Sequence, residues 1–417
     1  MKICIFSLGC KVNSYESDVL RGIFEQKGHT VTDKLEKSDV YVLNTCAVTN
    51  EAERKSRQCI SRVLAQNPDA DIYVCGCASQ KDHVQFEQHP NVKFVTGNRD
   101  KNVLADIILQ NQYQKCENEF DISSQYIVHA NAKQSNLRAF VKIQDGCNNF
   151  CSYCIIPYLR GRSRSRDLSQ IIDEVKQLQS QGVKEIVLTG IDMSDFQIDG
   201  KKALGQLIES LSFYDGRLRI GSLEEGVVTK QFVEQIKHCK NLCPQFHLSL
   251  QSGSDVVLKS MNRKYSTQQY LLAVELLRQN FSNPAITTDV IVGFPTETDV
   301  EFENTCNFVQ KVGFAQMHIF PYSNRNGTVA SKLYKPLDGK VLKQRTKILQ
   351  KIASQMEEDY INQNLGETMQ VLIEEQKDGY FYGFTPNYLK IRTKLPQKIG
   401  QIVQVKLDDP DFEIIKK

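Results

Sequence analysis

The first part of the chain alternates short apolar runs with longer amphipathic segments. The apolar runs are rich in β-branched residues, and in the segments between them apolar positions recur every three to four residues, as on one helix face. Strands alternating with helices predict a parallel sheet covered by helices. We therefore expect an open parallel α/β domain over residues 1–118, with strands at KICIFSLG, DVYVLNT and DIYVCG.

The same alternation resumes, with more repeats, after a polar stretch at 119–133 that we interpret as a linker. Six strand–helix units predict a complete or partial β/α barrel over residues 133–362. One long helix over 337–366 follows the barrel strands. The six predicted strands are AFVKIQDG, EIVLTGI, RLRIGSL, QFHLSLQ, AITTDVIVGF and FAQMHIFPYS.

The last segment, residues 363–417, has strands with no helix between them, which predicts a small all-β barrel. Its strands are expected at ETMQVLIEEQ, GYFYGFTPNYLKIRT, QIVQVKL and FEIIKK. The predicted fold class is therefore α/β, with an open parallel N-terminal domain, a central partial β/α barrel and a small C-terminal all-β barrel.

Composition narrows the function classes only slightly. With 52 Lys+Arg against 49 Asp+Glu, net charge by itself does not indicate a nucleic-acid partner. The N-terminus MKICIFSLGC lacks the features of a signal peptide, and we find no run of about eighteen apolar residues, so we expect a cytoplasmic protein without a membrane partner. Thirteen cysteines in such a chain indicate metal binding or catalysis more than disulfides.

Three cysteines, Cys147, Cys151 and Cys154, follow the first predicted barrel strand. Functional residues of β/α barrels lie at the C-terminal ends of strands. Three thiolates can hold three irons of a cubane iron–sulfur cluster and leave the fourth iron open to a small molecule. The alternatives are scattered core thiols or a structural zinc site, which usually has four ligands, and no fourth ligand lies nearby in the sequence.

A second set of cysteines lies in the N-terminal domain. Cys10, Cys46 and Cys77 each follow one of its predicted strands. Ligands of open α/β sheets bind at this edge, so the three thiols predict a second cluster. Cys75 competes with Cys77, which we prefer because it follows Gly76, a residue that permits a tight turn. The alternative is that these are small apolar residues in turns.

Two basic segments are candidate RNA contacts. In RGRSRSR, Arg160, Arg162, Arg164 and Arg166 would share one side if extended and could bind phosphate, although a solvated loop is an equal alternative. In the tail, Lys390, Arg392 and Lys394 alternate with apolar positions, near Tyr380, Tyr382 and Phe384. A basic strand face beside aromatic residues suits RNA; the alternative is an ordinary polar face.

The cysteine motifs carry a resemblance to a known family. Cys-x3-Cys-x2-Cys after a first barrel strand resembles the radical S-adenosylmethionine (SAM) enzymes. The segments GCNNFCSYCIIPYLRGRSRSR, SLGCKVNSYESD, NTCAVTNEAERKSR and GCASQ resemble one branch of them, the methylthiotransferases, and the tail resembles a TRAM domain. Ser79 and Glu225 are departures from the family pattern. The resemblance implies two [4Fe–4S] clusters, one on each cysteine triad, with SAM on the open iron of the barrel cluster.

The resemblance also implies SAM contacts near the strand ends. For each of these polar residues taken alone, a satisfied loop or cap residue is the simpler interpretation. The expected cofactor-binding residues are Thr189, Gly190, Glu224, Gln251 and Ser252.

Within the methylthiotransferases, GCKVN and NTCAVTNEAERKSR resemble the branch that acts on tRNA N6-threonylcarbamoyladenosine at position 37. This implies C2-methylthiolation of that nucleoside, with tRNA, an external electron donor and a sulfur donor as partners of a monomer. The alternatives are the isopentenyladenosine branch, the branch acting on a ribosomal protein side chain, and a non-catalytic iron–sulfur RNA-binding protein.

Overall fold

The computed structural model describes residues 1–98, 101–110 and 137–416. The expected linker at 119–133 and the expected domain ends at 118 and 133 lie outside these residues. Among the described helices, none combines the length and the apolar character that crossing a membrane requires.

The N-terminal domain is a parallel sheet flanked by helices. Its elements are β1 (Lys2–Ser7), α1 (Lys11–Gln26), β2 (Thr30–Thr32), β3 (Val40–Thr45), α2 (Asn50–Gln66), β4 (Asp71–Gly76), α3 (Cys77–Lys81), α4 (Val84–Glu87), β5 (Val92–Val95) and α5 (Lys101–Gln110). The strand order is β2-β1-β3-β4-β5, which confirms the predicted open parallel sheet. The central strand β3 is buried at every position, as its apolar run requires. The short edge strands β2 and β5 were not predicted.

The central domain confirms the predicted partial barrel. Its elements are β6 (Arg138–Lys142), β7 (Gln144–Asp145), α6 (Ile156–Arg160), β8 (Arg164–Ser165), α7 (Leu168–Ser180), β9 (Glu185–Thr189), β10 (Gln197–Ile198), β11 (Lys201–Lys202), α8 (Leu204–Ser210), β12 (Arg217–Ile220), β13 (Ser222–Leu223), α9 (Lys230–Ile236), β14 (Gln245–Leu248), α10 (Asp255–Ser260), α11 (Thr267–Asn280), β15 (Ala285–Val292), α12 (Asp299–Val312), β16 (Gln316–Pro321), α13 (Val329–Leu333) and α14 (Gly339–Asn364). Parallel strands pair in the orders β6-β9-β12 and β13-β14-β15-β16, and a bridge between Leu218 and Leu242 joins the two groups.

The C-terminal module is a five-stranded antiparallel sheet. Its strands are β17 (Thr368–Lys377), β18 (Tyr380–Phe384), β19 (Lys390–Thr393), β20 (Ile402–Lys406) and β21 (Phe412–Ile415), in the order β20-β17-β18-β19-β21. The run GYFYGFTPNYLKIRT forms two strands instead of one. A turn separates them, in which the Thr385 amide donates to the Leu389 carbonyl (3.0 Å) and Tyr388 takes a left-handed φ of 69°. The expected boundary at 362/363 falls in the last turn of α14.

The C-terminal module packs against the strand starts of the barrel. Arg217, the first residue of β12, donates 2.8 Å hydrogen bonds to the carbonyls of Phe384 and Gln370. Arg138, the first residue of β6, pairs with Glu374 at 2.6 Å. At the other end of the barrel strands lies the N-terminal domain, whose α1 contacts β6. The barrel lumen is therefore bounded by a different domain at each end.

Candidate active site

The N-terminal triad is assembled by sheet topology. Cys10 lies between β1 and α1, Cys46 follows β3, and Cys77 opens α3 after β4. Because β1, β3 and β4 are parallel neighbours, their C-terminal ends meet at one edge. Cys10 is the N-cap residue of α1 in an extended conformation, and its thiol makes no capping hydrogen bond. The three thiols therefore lie together although they are far apart in sequence.

Two glycines permit this arrangement. Gly9 has a φ of +93°, and a Cβ there would lie 2.3 Å from the Cys46 Sγ. Gly76 has a φ of +106°, and a Cβ there would lie 2.4 Å from the Thr45 carbonyl oxygen. Any side chain at Gly9 would thus push the β1–α1 turn away from Cys46. Cys75, the competitor of Cys77, instead packs in an apolar core with Ile5 and is 0% exposed.

The barrel triad is assembled within one loop, between β7 and α6. The Ser152 amide donates to the Met261 carbonyl (2.9 Å), and the Ser152 carbonyl accepts from the Ala330 amide (2.7 Å). The Asn262 side chain donates to the carbonyl of Phe150 (2.9 Å), whose φ is 47°. Two distant segments of the barrel thus clamp the loop that carries Cys147, Cys151 and Cys154.

Five of the six triad cysteines line one cavity of about 870 Å³. Cys10 and Cys77 line it from the N-terminal domain, and Cys46 lies directly behind Gly9. From the barrel loop, Cys147, Cys151 and Cys154 all line it. The cavity continues down the barrel lumen to Tyr388 of the C-terminal module.

Each triad has a buried arginine whose N–H points at a sulfur. The Arg160 Nε donates to the Cys77 Sγ (3.4 Å), and the Arg263 Nη1 donates to the Cys151 Sγ (3.3 Å). Burial raises the pKa of the Cys46 thiol to about 12, so it ionises only with help from a bound metal or a cation. Thiols with N–H donors aimed at sulfur suit the ligands of an iron–sulfur cluster.

Comparison with known proteins identifies the family. The sequence matches the Radical SAM superfamily over residues 141–309 and the uncharacterized protein family UPF0004 over residues 2–97. The threonylcarbamoyladenosine tRNA methylthiotransferase MtaB of Bacillus subtilis is 36% identical, with 97% of this chain and 93% of that protein covered. The chain belongs to the radical SAM methylthiotransferase family. Membership confirms the predicted cofactors, SAM and two [4Fe–4S] clusters.

Two further likenesses refine this result. A tRNA-2-methylthio-N(6)-dimethylallyladenosine synthase of Staphylococcus saprophyticus is 35% identical, with 97% of this chain and 82% of that protein covered. The radical SAM methyltransferase TsrM of Kitasatospora setae, solved with cobalamin and a [4Fe–4S] cluster, has a TM-score of 0.57 at 13% identity and covers 77% of this chain and 74% of its own. The second likeness is one of fold alone.

A buried charge network joins the two triads of this methylthiotransferase. Glu16 of α1 pairs with Lys101, with Lys142 (2.8 Å) and with Arg160 (2.9 Å). Asp145 pairs with Lys142 (2.6 Å) and Arg160 (3.2 Å), and each of the five side chains is at most 5% exposed. Burial alone would raise the pKa of Glu16, but the three cations hold it well below its ordinary value. Arg160 thereby reaches from Cys77 to Asp145, two residues before Cys147.

Four of the five expected cofactor-binding residues line the cavity, and one does not. Thr189, Gly190, Glu224 and Gln251 line the cavity. Glu224 is paired with Arg263, the residue that contacts Cys151. Ser252 is 0% exposed, and its hydroxyl lies 3.3 Å from the Thr305 Oγ1 on α12 instead. Their roles toward SAM stay predictions.

The arginines of RGRSRSR do not share one face, because the chain is helical up to Arg160 and turns at Gly161 (φ 76°). The Arg160 side chain is 0% exposed and bonded within the charge network, so it offers RNA no surface in this structure. Arg166 pairs with Glu174. Arg162 packs 4.4 Å from the Phe150 ring centroid. Arg162 is exposed and Arg164 is partly exposed, and their contact with RNA stays a prediction.

The tail has the geometry that its alternation predicts. Ile391 and Thr393 are each 2% exposed, while the basic side chains lie on the other face of β19. Arg392 lies 4.7 Å from the Tyr380 ring centroid and Lys390 lies 4.8 Å from that of Tyr382. Lys394 also lies over Tyr380, at 5.2 Å. The binding of RNA by this face stays a prediction.

The barrel lumen has a charged lining that the sequence did not predict. The His247 Nε2 lies 3.3 Å from the Asp289 Oδ2, and Arg219 pairs with Glu185 at 3.0 Å. Lys11 also lines the cavity, and burial together with Arg219 and Arg138 lowers its pKa. The available signal was position: Lys11 directly follows a predicted cluster cysteine, so a cluster at Cys10 brings it into the site.

Proposed function

We propose that this chain transfers a methylthio group to C2 of N6-threonylcarbamoyladenosine at position 37 of tRNA. The observation that carries the proposal is the single cavity shared by two cysteine triads from different domains. A radical-generating cluster and a sulfur-handling cluster must both reach one base, and a shared cavity meets that requirement. The MtaB relative is named for this nucleoside, and 93% of its length is covered.

The two triads have separate roles. Cys147, Cys151 and Cys154 hold the cluster that binds SAM, and Cys10, Cys46 and Cys77 hold the second cluster. When bound, the first cluster supplies the electron that cleaves SAM and the second supplies the site of sulfur transfer. Arg263 and Arg160 each donate an N–H to one cysteine sulfur. These contacts would stabilise the negative charge of the thiolate that ligates a cluster. Thr189, Gly190, Glu224 and Gln251 form the wall that SAM contacts, with Ser252 supporting the turn at Gln251.

The RNA lies across the C-terminal module and the barrel. Lys390, Arg392 and Lys394 contact phosphates while Tyr380 and Tyr382 offer faces for stacking. Arg162 and Arg164, beside the barrel loop, contact the RNA near the site. One chain supplies both triads, so the site needs no second subunit. The enzyme works in the cytoplasm as a monomer and takes electrons and sulfur from external donors.

Mass spectrometry of tRNA nucleosides tests the proposal. The gene is supplied to a host that lacks its own threonylcarbamoyladenosine methylthiotransferase, and the 2-methylthio nucleoside should appear. Cys46→Ala should abolish the product, whereas Cys59→Ala, which alters a buried thiol of the same domain, should preserve it. Persistence of the product in Cys46→Ala would refute the two-cluster assignment.

The second candidate is methylthiolation of isopentenyladenosine, favoured by the 35% identity to the dimethylallyladenosine synthase. A host lacking both activities separates the two substrates. Appearance of only the 2-methylthio-isopentenyl nucleoside would keep the chemistry and overturn the proposed substrate.

A further inference from the structure

One lysine of the barrel lumen makes no direct polar contact with a described residue, although the carboxylates of Glu185 and Asp289 act on it at longer range. Lys11 lines the cavity beside Cys10 and makes no hydrogen bond or ion pair with any residue that the structure describes. The surrounding cavity walls partly desolvate its side chain, which stays accessible to a molecule inside the cavity. A lysine at this position leaves its ammonium group available to whatever occupies the lumen.

Several other charged groups of the lumen already have charged or polar partners, although the Asp192 carboxylate near Cys147 is not ion-paired with any described residue. Glu185 accepts from both Arg138 (2.8 Å) and Arg219 (3.0 Å). The Asp289 carboxylate lies against His247. The Glu185 carboxylate is therefore shared by two arginines, and the Asp289 carboxylate contacts an imidazole. An anionic group entering the lumen would therefore find its free partner at Lys11.

We propose that Lys11 binds the carboxylate of the threonylcarbamoyl substituent and so selects adenosines that carry an acid on N6. This rests on the proposed function, since the substituent belongs to the proposed substrate. The methylthio group goes to C2 of the same base, so the substituent must lie in the cavity when the base is in reach of the triads. An isopentenyl substituent has no group for this ammonium and would leave it buried without an ion pair.

Two other anions could contact Lys11, and both would give a result that differs from recognition of the substituent. The carboxylate of SAM would make every substrate depend on Lys11 equally. An RNA phosphate would do the same, because all stem-loops share the backbone. Only recognition of the substituent makes the effect of Lys11 depend on the charge of that substituent.

The test uses reconstituted holoenzyme and two anticodon stem-loop RNAs. One carries threonylcarbamoyladenosine and the other carries its methyl ester, which removes the charge and keeps most of the shape. Wild-type enzyme should prefer the acid by roughly 10- to 100-fold in kcat/KM, the range expected for one charge-assisted hydrogen bond. Lys11→Gln should bring the ratio of acid to ester close to one, and Lys11→Arg should retain part of the preference.

Lys390→Gln is the matched control, because it removes a lysine from the predicted RNA surface and leaves the lumen unchanged. It should weaken both RNAs equally and keep the ratio of the wild type. Iron content and RNA binding, with and without clusters, are measured for every variant. Binding reports the preference even in a variant that turns over slowly.

Three results overturn the proposal. An equal rate on acid and ester by the wild type would exclude recognition of the carboxylate. Unchanged rates on both RNAs in Lys11→Gln would assign recognition to another group. An equal loss of kcat/KM on both RNAs, which also keeps the wild-type ratio, would assign Lys11 to SAM or phosphate. If the wild type methylthiolated only an isopentenyladenosine stem-loop, the proposed substrate itself would fail, which is a distinct outcome.

Discussion

The two cysteine triads reach the same cavity by opposite routes. The barrel triad is encoded in eight consecutive residues and is held by backbone contacts to Met261 and Ala330. The N-terminal triad collects Cys10, Cys46 and Cys77 from the ends of three neighbouring strands. One cluster site therefore depends on the conformation of a loop, and the other depends on the register and packing of a whole sheet. This difference predicts how each site fails.

The largest effects should come from removing a cysteine of either triad. Cys151→Ala should abolish 5′-deoxyadenosine formation and methylthiolation, because SAM loses the cluster that cleaves it. Cys46→Ala should keep 5′-deoxyadenosine formation and abolish methylthiolation. Both products are quantified by chromatography with mass spectrometry after addition of reductant.

Cys75→Ala is the control for this pair, since Cys75 is buried in the sheet core two residues from Cys77. It should retain both activities. Loss of methylthiolation in Cys75→Ala with retention in Cys77→Ala would exchange the roles of the two residues.

Removing a cation from the charge network between the triads should have a smaller effect, a loss of folding stability and not the loss of a cluster. Arg160→Gln leaves Glu16 and Asp145 short of one cation in a buried network, which destabilises the fold by about 3–5 kcal/mol. Denaturant unfolding of the wild type and the variant measures this difference. Arg21→Gln, which removes a surface arginine with pairs at 3.9 Å, should cost at most about 1 kcal/mol. Equal costs for the two variants would contradict the role given to the network.

A substitution in the hydrophobic core of the N-terminal domain should affect its cluster site more than the barrel cluster site, because only the first depends on the packing of a sheet. Leu43, on the central strand β3, is 1% exposed, and Leu43→Ala should destabilise the N-terminal domain by about 2–5 kcal/mol. The iron content should then fall toward that of one cluster, with 5′-deoxyadenosine formation retained. Leu207→Ala, in the barrel core, should leave the iron of the N-terminal triad in place. The comparison fails if Leu43→Ala loses iron equally from both triads.

The smallest effect should come from the predicted RNA surface. Lys390→Gln should weaken tRNA binding uniformly across tRNAs and reduce the slope of log K against log salt by about one. A titration of binding against salt measures the slope. An unchanged slope would remove Lys390 from the set of phosphate contacts.

The sequence predicted what depends on local pattern. Strand–helix alternation predicted the three domains, and the positions of Cys10, Cys46 and Cys77 after successive strands predicted that they would meet. The local pattern did not predict which charged side chains would be buried. The four arginines of RGRSRSR look alike in sequence, but the fold encloses Arg160 and leaves Arg162 exposed. This difference depends on how α1 packs against the barrel. Lys11 was missed for the same reason, because its lumen exists only after both domains are assembled.

The sharing of Glu16 between domains has a consequence for exchanging parts among relatives. Its charge is balanced by Lys101 from its own domain and by Lys142 and Arg160 from the barrel. A chimaera that joins this N-terminal domain to a foreign barrel must bring both of those cations with it. Otherwise it buries an uncompensated carboxylate at the junction. The two halves of the chain are thus constrained to change together across this junction.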